Sequence, residues 1–188
     1  MSYLKQILAV LIGLGLIVLV FVMVIKGFSS GSSNPASKVD LVSYANTQAV
    51  AQLTVDGPIV DQANHNSARI SVSQTETQIE IMQGYDGKIV SSQTFPNTTA
   101  SYAVFLQSLA RLNFTKGTTT PYDERGYCAT GERYIYQLEQ GDKNILRYWS
   151  TSCGQGTFGG TRDAVRTLFE AQIPNDVLAT VTANVSLN

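Results

Sequence analysis

Histidine and cysteine are scarce in this chain. One histidine and two cysteines in 188 residues cannot supply the three or four ligands of a Cys/His metal cluster. Charge is sparse as well, at 14% of residues against roughly 25% in an average globular protein. Neither sign dominates: 13 basic and 14 acidic side chains leave a formal net charge of −1. Bulk attraction to nucleic acid is therefore excluded as a working principle. A G-x-S-x-G nucleophile elbow is missing despite many serines, and there is no internal repeat.

What the chain does have is one long apolar run. Ile7 to Ile25 reads ILAVLIGLGLIVLVFVMVI, without a charged or strongly polar side chain. As a helix it would rise roughly 28 Å, close to the thickness of a bilayer's hydrocarbon core. Lys5 and Lys26 bracket it and could snorkel towards head groups. A cleavable signal peptide has a shorter apolar region, about 7–15 residues, followed by small residues at a cleavage site. Here the run ends in a lysine and continues as Gly27-Phe28-Ser29-Ser30. No cysteine precedes residue 128, so a lipid-modified N-terminus is unavailable, and the run lacks the acidic residue of a pilin-like leader. Gly13 and Gly15 are too close for a GxxxG dimerisation face. The expectation is a single-pass signal anchor over residues 1–28, a Ser-rich flexible tether over 29–40, and an extracytoplasmic domain over 41–188. The lipid bilayer is then a partner through residues 7–25. Lysine placement orients the anchor poorly; a disulfide in the domain would put that domain outside and the N-terminus in the cytoplasm.

The domain itself carries a net charge of −3 and is long enough to bury a core unaided. Its first half alternates with period two over Ala49–Val55, Ala68–Ser73 and Gln78–Gln83, and Asp86-Gly87 offers a tight turn into Lys88–Phe95. That is an antiparallel meander with one inward face. After Pro96, a cap at Asn97, Thr98 or Thr99 opens a helix whose Tyr102, Phe105, Leu106, Leu109 and Leu112 share one side. A second hairpin follows over Glu132–Glu139 and Asn144–Thr151. With a two-residue turn at Gln140-Gly141, facing residues sum to 281, and so do Cys128 and Cys153; the disulfide would close the ends of this hairpin. Thr161–Gln172 reads as a second helix stopped by Pro174, and Asn175–Asn188 as a turn plus an edge strand. The fold class expected is α+β: one transmembrane helix, then an antiparallel meander sheet with a second β-hairpin, covered by two α-helices.

Chemistry is harder to find. Gly154-Gln155-Gly156-Thr157-Phe158-Gly159 matches G-x-G-x-x-G, between a strand and a helix. The strand belongs to an antiparallel hairpin, no parallel unit has room to follow, and no acidic residue stands at the ribose position, so no dinucleotide is expected. A weaker reading keeps an anion site at Gly156, Gly159 and Arg162. His65 lies in the polar segment Gln62–Asn66 and reads as a solvated loop residue. Asp123, Glu124, Glu132 and Glu139 offer a carboxylate pair only if the fold brings two together. Tyr134, Tyr136, Arg147, Tyr148 and Trp149 form either an exposed interaction face or cross-strand packing. Three Asn-x-Ser/Thr sequons begin at Asn97, Asn113 and Asn184.

No cofactor and no metal is expected. The function read from the sequence is a membrane-anchored, non-catalytic cell-envelope domain that binds an envelope protein or a surface polymer. The alternative is a membrane-tethered hydrolase acting on cell-wall or peptide substrates.

Overall fold

A computed structural model describes residues 39–120 and 122–185. Six strands form one sheet: β1 (Ala49–Asp56), β2 (Asn66–Val72), β3 (Glu76–Gln83), β4 (Lys88–Pro96), β5 (Arg133–Gln140) and β6 (Lys143–Thr151). Their order is β4-β3-β2-β1-β5-β6, and every neighbouring pair is antiparallel. The meander builds the first four positions, and the second hairpin returns to pair β5 with the free side of β1.

One side of the sheet is apolar because the alternation is kept in register across strands. Leu53 faces Ile70 on β2 and Tyr136 on β5, and Ile70 faces Ile79 on β3. All four are buried. Helices α1 (Thr99–Arg111), α2 (Arg162–Glu170) and α3 (Asn175–Val185) contribute further buried side chains to this core. Helix α1 is capped by Thr98, whose hydroxyl accepts from Ser101 N at 3.2 Å. It buries Tyr102, Phe105, Leu106 and Leu109, a spacing of three, four and seven residues. The Tyr102 hydroxyl donates to the Ala49 carbonyl at 2.9 Å, which ties α1 to β1. The helix ends in a Schellman motif. Asn113 takes φ 58°, Phe114 N donates to Leu109 O, Asn113 N donates to Ala110 O, and the Phe114 ring is fully buried. Phe105 of α1 meets Phe169 of α2 edge-on, with centroids 5.1 Å apart. Burial of each such side chain stabilises the fold by about 1.5–3 kcal/mol.

Three expectations are corrected. Among the described residues no helix is long and apolar enough to cross a membrane. The longest, α1, has 13 residues and rises about 20 Å, short of the ~30 Å hydrocarbon core. The anchor expected over 7–25 lies outside the described residues, as does nearly all of the tether. The single-pass topology, the bilayer as partner, the membrane location and the membrane-anchored envelope function are therefore not supported. What stands is an antiparallel sheet with helices on one face.

The second correction is at the C-terminus. Asn175–Val185 is a helix, not a turn and edge strand. Pro174 ends the previous segment and also opens the next: its carbonyl accepts from Val177 N and Leu178 N, and Asp176 sits in the first turn. Third, the hairpin register differs. Gln140 faces Lys143 across a two-residue turn at Gly141-Asp142, with φ 56° at Gly141, and a bulge between Leu138 and Glu139 shifts the pairing again. The disulfide expected between Cys128 and Cys153 is present, with Cα atoms 5.7 Å apart, and it joins two turns outside the strands. Cys128 adopts φ 51° there.

Candidate functional site

The two edges of the sheet are treated differently. At β6, the glycine-rich loop folds back along the strand. Thr157 N and Phe158 N both donate to the Trp149 carbonyl, at 2.8 and 2.9 Å, and Trp149 N donates to Thr157 Oγ1 at 3.1 Å. Ser150 and Gly156 form an isolated bridge. Gly156 has φ 149°, and a Cβ there would stand 2.4 Å from Trp149 O. Glycine is required for that close approach, which explains the G-x-G pattern without a nucleotide. The uncovered start of β6 carries Lys143 and Arg147, charges of the kind that discourage pairing.

At β4, nothing comparable is present. Among the described residues no strand, bridge or loop backbone bonds to its outer side. Eight of its nine residues are exposed and Phe95 is half-buried. Ile89 and Val90 keep 49% and 51% of their surface, although β-branched residues usually gain by burial in a sheet. Lys88 at the start and Pro96 at the end are its only edge-protecting residues, along with a bulge opposite Ile81/Met82. From Ser91 to Phe95 the register is regular and the strand carries no charge.

A cleft of about 250 Å³ opens beside this edge on the helix side. Ile81 and Gln83 of β3, Val90 and Ser91 of β4, and Thr180 and Val181 of α3 line it. The cleft lies where α3 packs over β2 and the outermost strand, β4, stays exposed beside it, while Ile79 and Ile81 of β3 remain buried. The opposite side of the sheet is polar. Thr94, Gln78, Ser71, Gln52, Gln137 and Arg147 stand in one register row across all six strands.

The residues singled out from the sequence fall as follows. Tyr134, Tyr136 and Trp149 are buried, and Tyr148 is half-buried. Burial raises the Tyr136 phenol above its ordinary range and, with a hydrogen bond to Glu132, pushes Tyr134 up to about 12. Trp149 Nε1 donates to Tyr122 O at 3.2 Å, and the indole packs on Tyr127. Arg147 chelates Glu124 with bonds of 2.7 and 2.6 Å. These rings are packing, and do not make an open face. At the weak anion site, Gly159 N already donates to Lys116 O. Arg162 donates to Asp163 and to Thr151 O, and lies over the Tyr134 ring. The three residues are close in the chain but point no shared free donors at a ligand.

His65 differs most from expectation. It is 2% exposed, with Nε2 2.8 Å from Asp56 Oδ1 and Nδ1 3.1 Å from Pro58 O, and it stacks on Tyr85 at 4.0 Å. Arg133 holds the other Asp56 oxygen at 2.8 Å and bonds to Gly57 O. Both imidazole nitrogens are committed, so the ring holds a turn closed and is not poised as a base. The acids do not converge either: Asp123 is lowered by its bond to Arg125, and Glu132 accepts from Tyr134 and Arg166. One oxygen of Glu132 is buried without a hydrogen-bond partner. Both cysteines are spent in the disulfide, and among the described residues no group of three metal-binding side chains assembles.

The bare edge was missed by sequence reading, although one signal was present. The strand has no charge between Lys88 and Pro96, and the strand order leaves it with one neighbour. No protein-family model matches the chain, and no curated protein matches it in sequence.

Proposed function

We propose that this domain binds an extended segment of another polypeptide by strand addition at β4. The observation that carries the reading is the contrast between edges: β6 is covered by its own loop and flanked by charges, whereas among the described residues no backbone pairs with the outer side of β4. An unpaired strand edge is a row of backbone donors and acceptors at fixed spacing, and another strand is the group that satisfies all of them at once. The bulge at Val90 interrupts the row near its start, so the segment Ser91–Phe95 is the part that pairs. That length buries less than the roughly 1,200 Å² of a standard interface, which favours a reversible complex with Kd on the order of micromolar or weaker.

The full-length protein tests this against a displayed library of random heptapeptides. Strand addition requires that selected peptides lose binding when alternate backbone nitrogens are methylated, and that Ser92→Lys weakens them at least tenfold. Peptides that bind equally well after N-methylation, or that ignore Ser92→Lys, would refute it.

A further inference from the structure

We infer that the cleft between α3 and strands β3–β4 selects the strand that is added, by receiving one uncharged aliphatic side chain from it. This rests on the strand-addition reading and specifies its partner. Ile81 and Ile79 face the core, and their register partners on β4 are Ser91 and Gln93. Ser91 and Gln93 therefore point to the helix side, where the cleft lies. A residue added opposite Ser91 would have its Cβ about 5 Å away. The serine is too short to block it, so a longer side chain leans over Ser91 onto Ile81, Val90 and Val181.

Size and chemistry both narrow the occupant. At about 250 Å³ the cleft is below the ~300–1,000 Å³ typical of sites for whole small molecules. It suits a single side chain delivered on a backbone. Among the described residues no charged side chain lines it, so a carboxylate or ammonium entering would lose water without gaining a partner there. Its polar groups, among them Gln83, Ser91 and Thr180, ring an apolar floor.

The test uses the full-length protein and a set of synthetic heptapeptides, Thr-Ser-Thr-X-Thr-Ser-Thr with blocked ends, where X is Leu, Ala or Glu and the residues sharing its face are polar. Affinity is read by NMR, with the β4 amides and the Ile81, Val90 and Val181 methyl groups followed separately. The Leu peptide is expected to bind at least tenfold tighter than the other two and to shift those methyl groups. Thr180→Trp, an exposed position on the cleft rim, should reduce the Leu preference to less than twofold while the β4 amides still respond; Ser91→Phe is a second filling variant. Equal affinity for all three guests, with β4 still responding, overturns the cleft and leaves strand addition standing. No β4 response to any guest overturns strand addition, and the cleft assignment with it.

Discussion

His65 Nε2 lies 2.8 Å from Asp56 Oδ1, at the point where β1 turns away from the sheet. The second oxygen of that carboxylate is held by Arg133, whose side chain is 2% exposed. Asp56 therefore anchors two buried donors from opposite sides of the chain. Asp56→Ala should destabilise the protein by about 3 kcal/mol, because it strands a buried guanidinium. Urea unfolding measures this, and a loss under about 1 kcal/mol would show that the network is dispensable.

The disulfide joins turns that are also held by hydrogen bonds. Ser152 N donates to Glu132 O at 2.9 Å, and Glu132 N donates to Ser152 Oγ at 3.0 Å. Replacing both cysteines by alanine should cost about 3 kcal/mol in the chain-entropy view and leave the sheet intact. Far-ultraviolet circular dichroism and a denaturant midpoint check the two halves of that statement. A variant that fails to form the sheet would mean the crosslink specifies the hairpin itself.

Much of the fold was legible because alternation and helical spacing are properties of the chain. Ala49–Val55 and the Tyr102–Leu109 stripe are buried where the pattern places them. The hairpin register was not, since Gln140-Gly141 and Gly141-Asp142 read equally well as the two-residue turn, and the bulge at Leu138/Glu139 adds a further shift. Pro174 was ambiguous for a related reason: proline stops one helix and starts another equally well. The burial of His65 was invisible, because it meets its partners Asp56 and Pro58, and Arg133 meets the other oxygen of Asp56, only after β1, β2 and β5 pair. The edge of β4 became a site only once the strand order was known.

Three tyrosines should resist ionisation. Burial raises Tyr102 and Tyr136 above the ordinary phenol range, and Tyr134 is pushed up to about 12. A folded pKa above the unfolded value of about 10 means that the native state retains protons the unfolded chain loses. Their contribution to stability is complete below pH ~10 and is lost as pH rises through the folded value. A spectrophotometric titration should therefore show a late, cooperative phase of three residues that coincides with unfolding. Smooth ionisation of all nine tyrosines near pH 10 would contradict their burial.

Trp149 is the single tryptophan and is 5% exposed beneath Tyr127 and the Tyr122 carbonyl. Its fluorescence should be blue-shifted in the native protein. Tyr127→Ala should move the emission to longer wavelength and cost about 1 kcal/mol from the lost ring pair. Unchanged emission would show that the 122–131 segment does not cover the indole.

Amide hydrogen exchange on the full-length protein, with and without a peptide selected by display, bears on the β4 assignment at residue level. Strand addition at this edge requires that outward amides between Ser91 and Phe95 gain at least tenfold protection on binding, while the outer amides of β6 do not change. Protection that appears elsewhere, with Ser91–Phe95 exchanging as in the free protein, would show that the bare edge is not where this domain meets its partner.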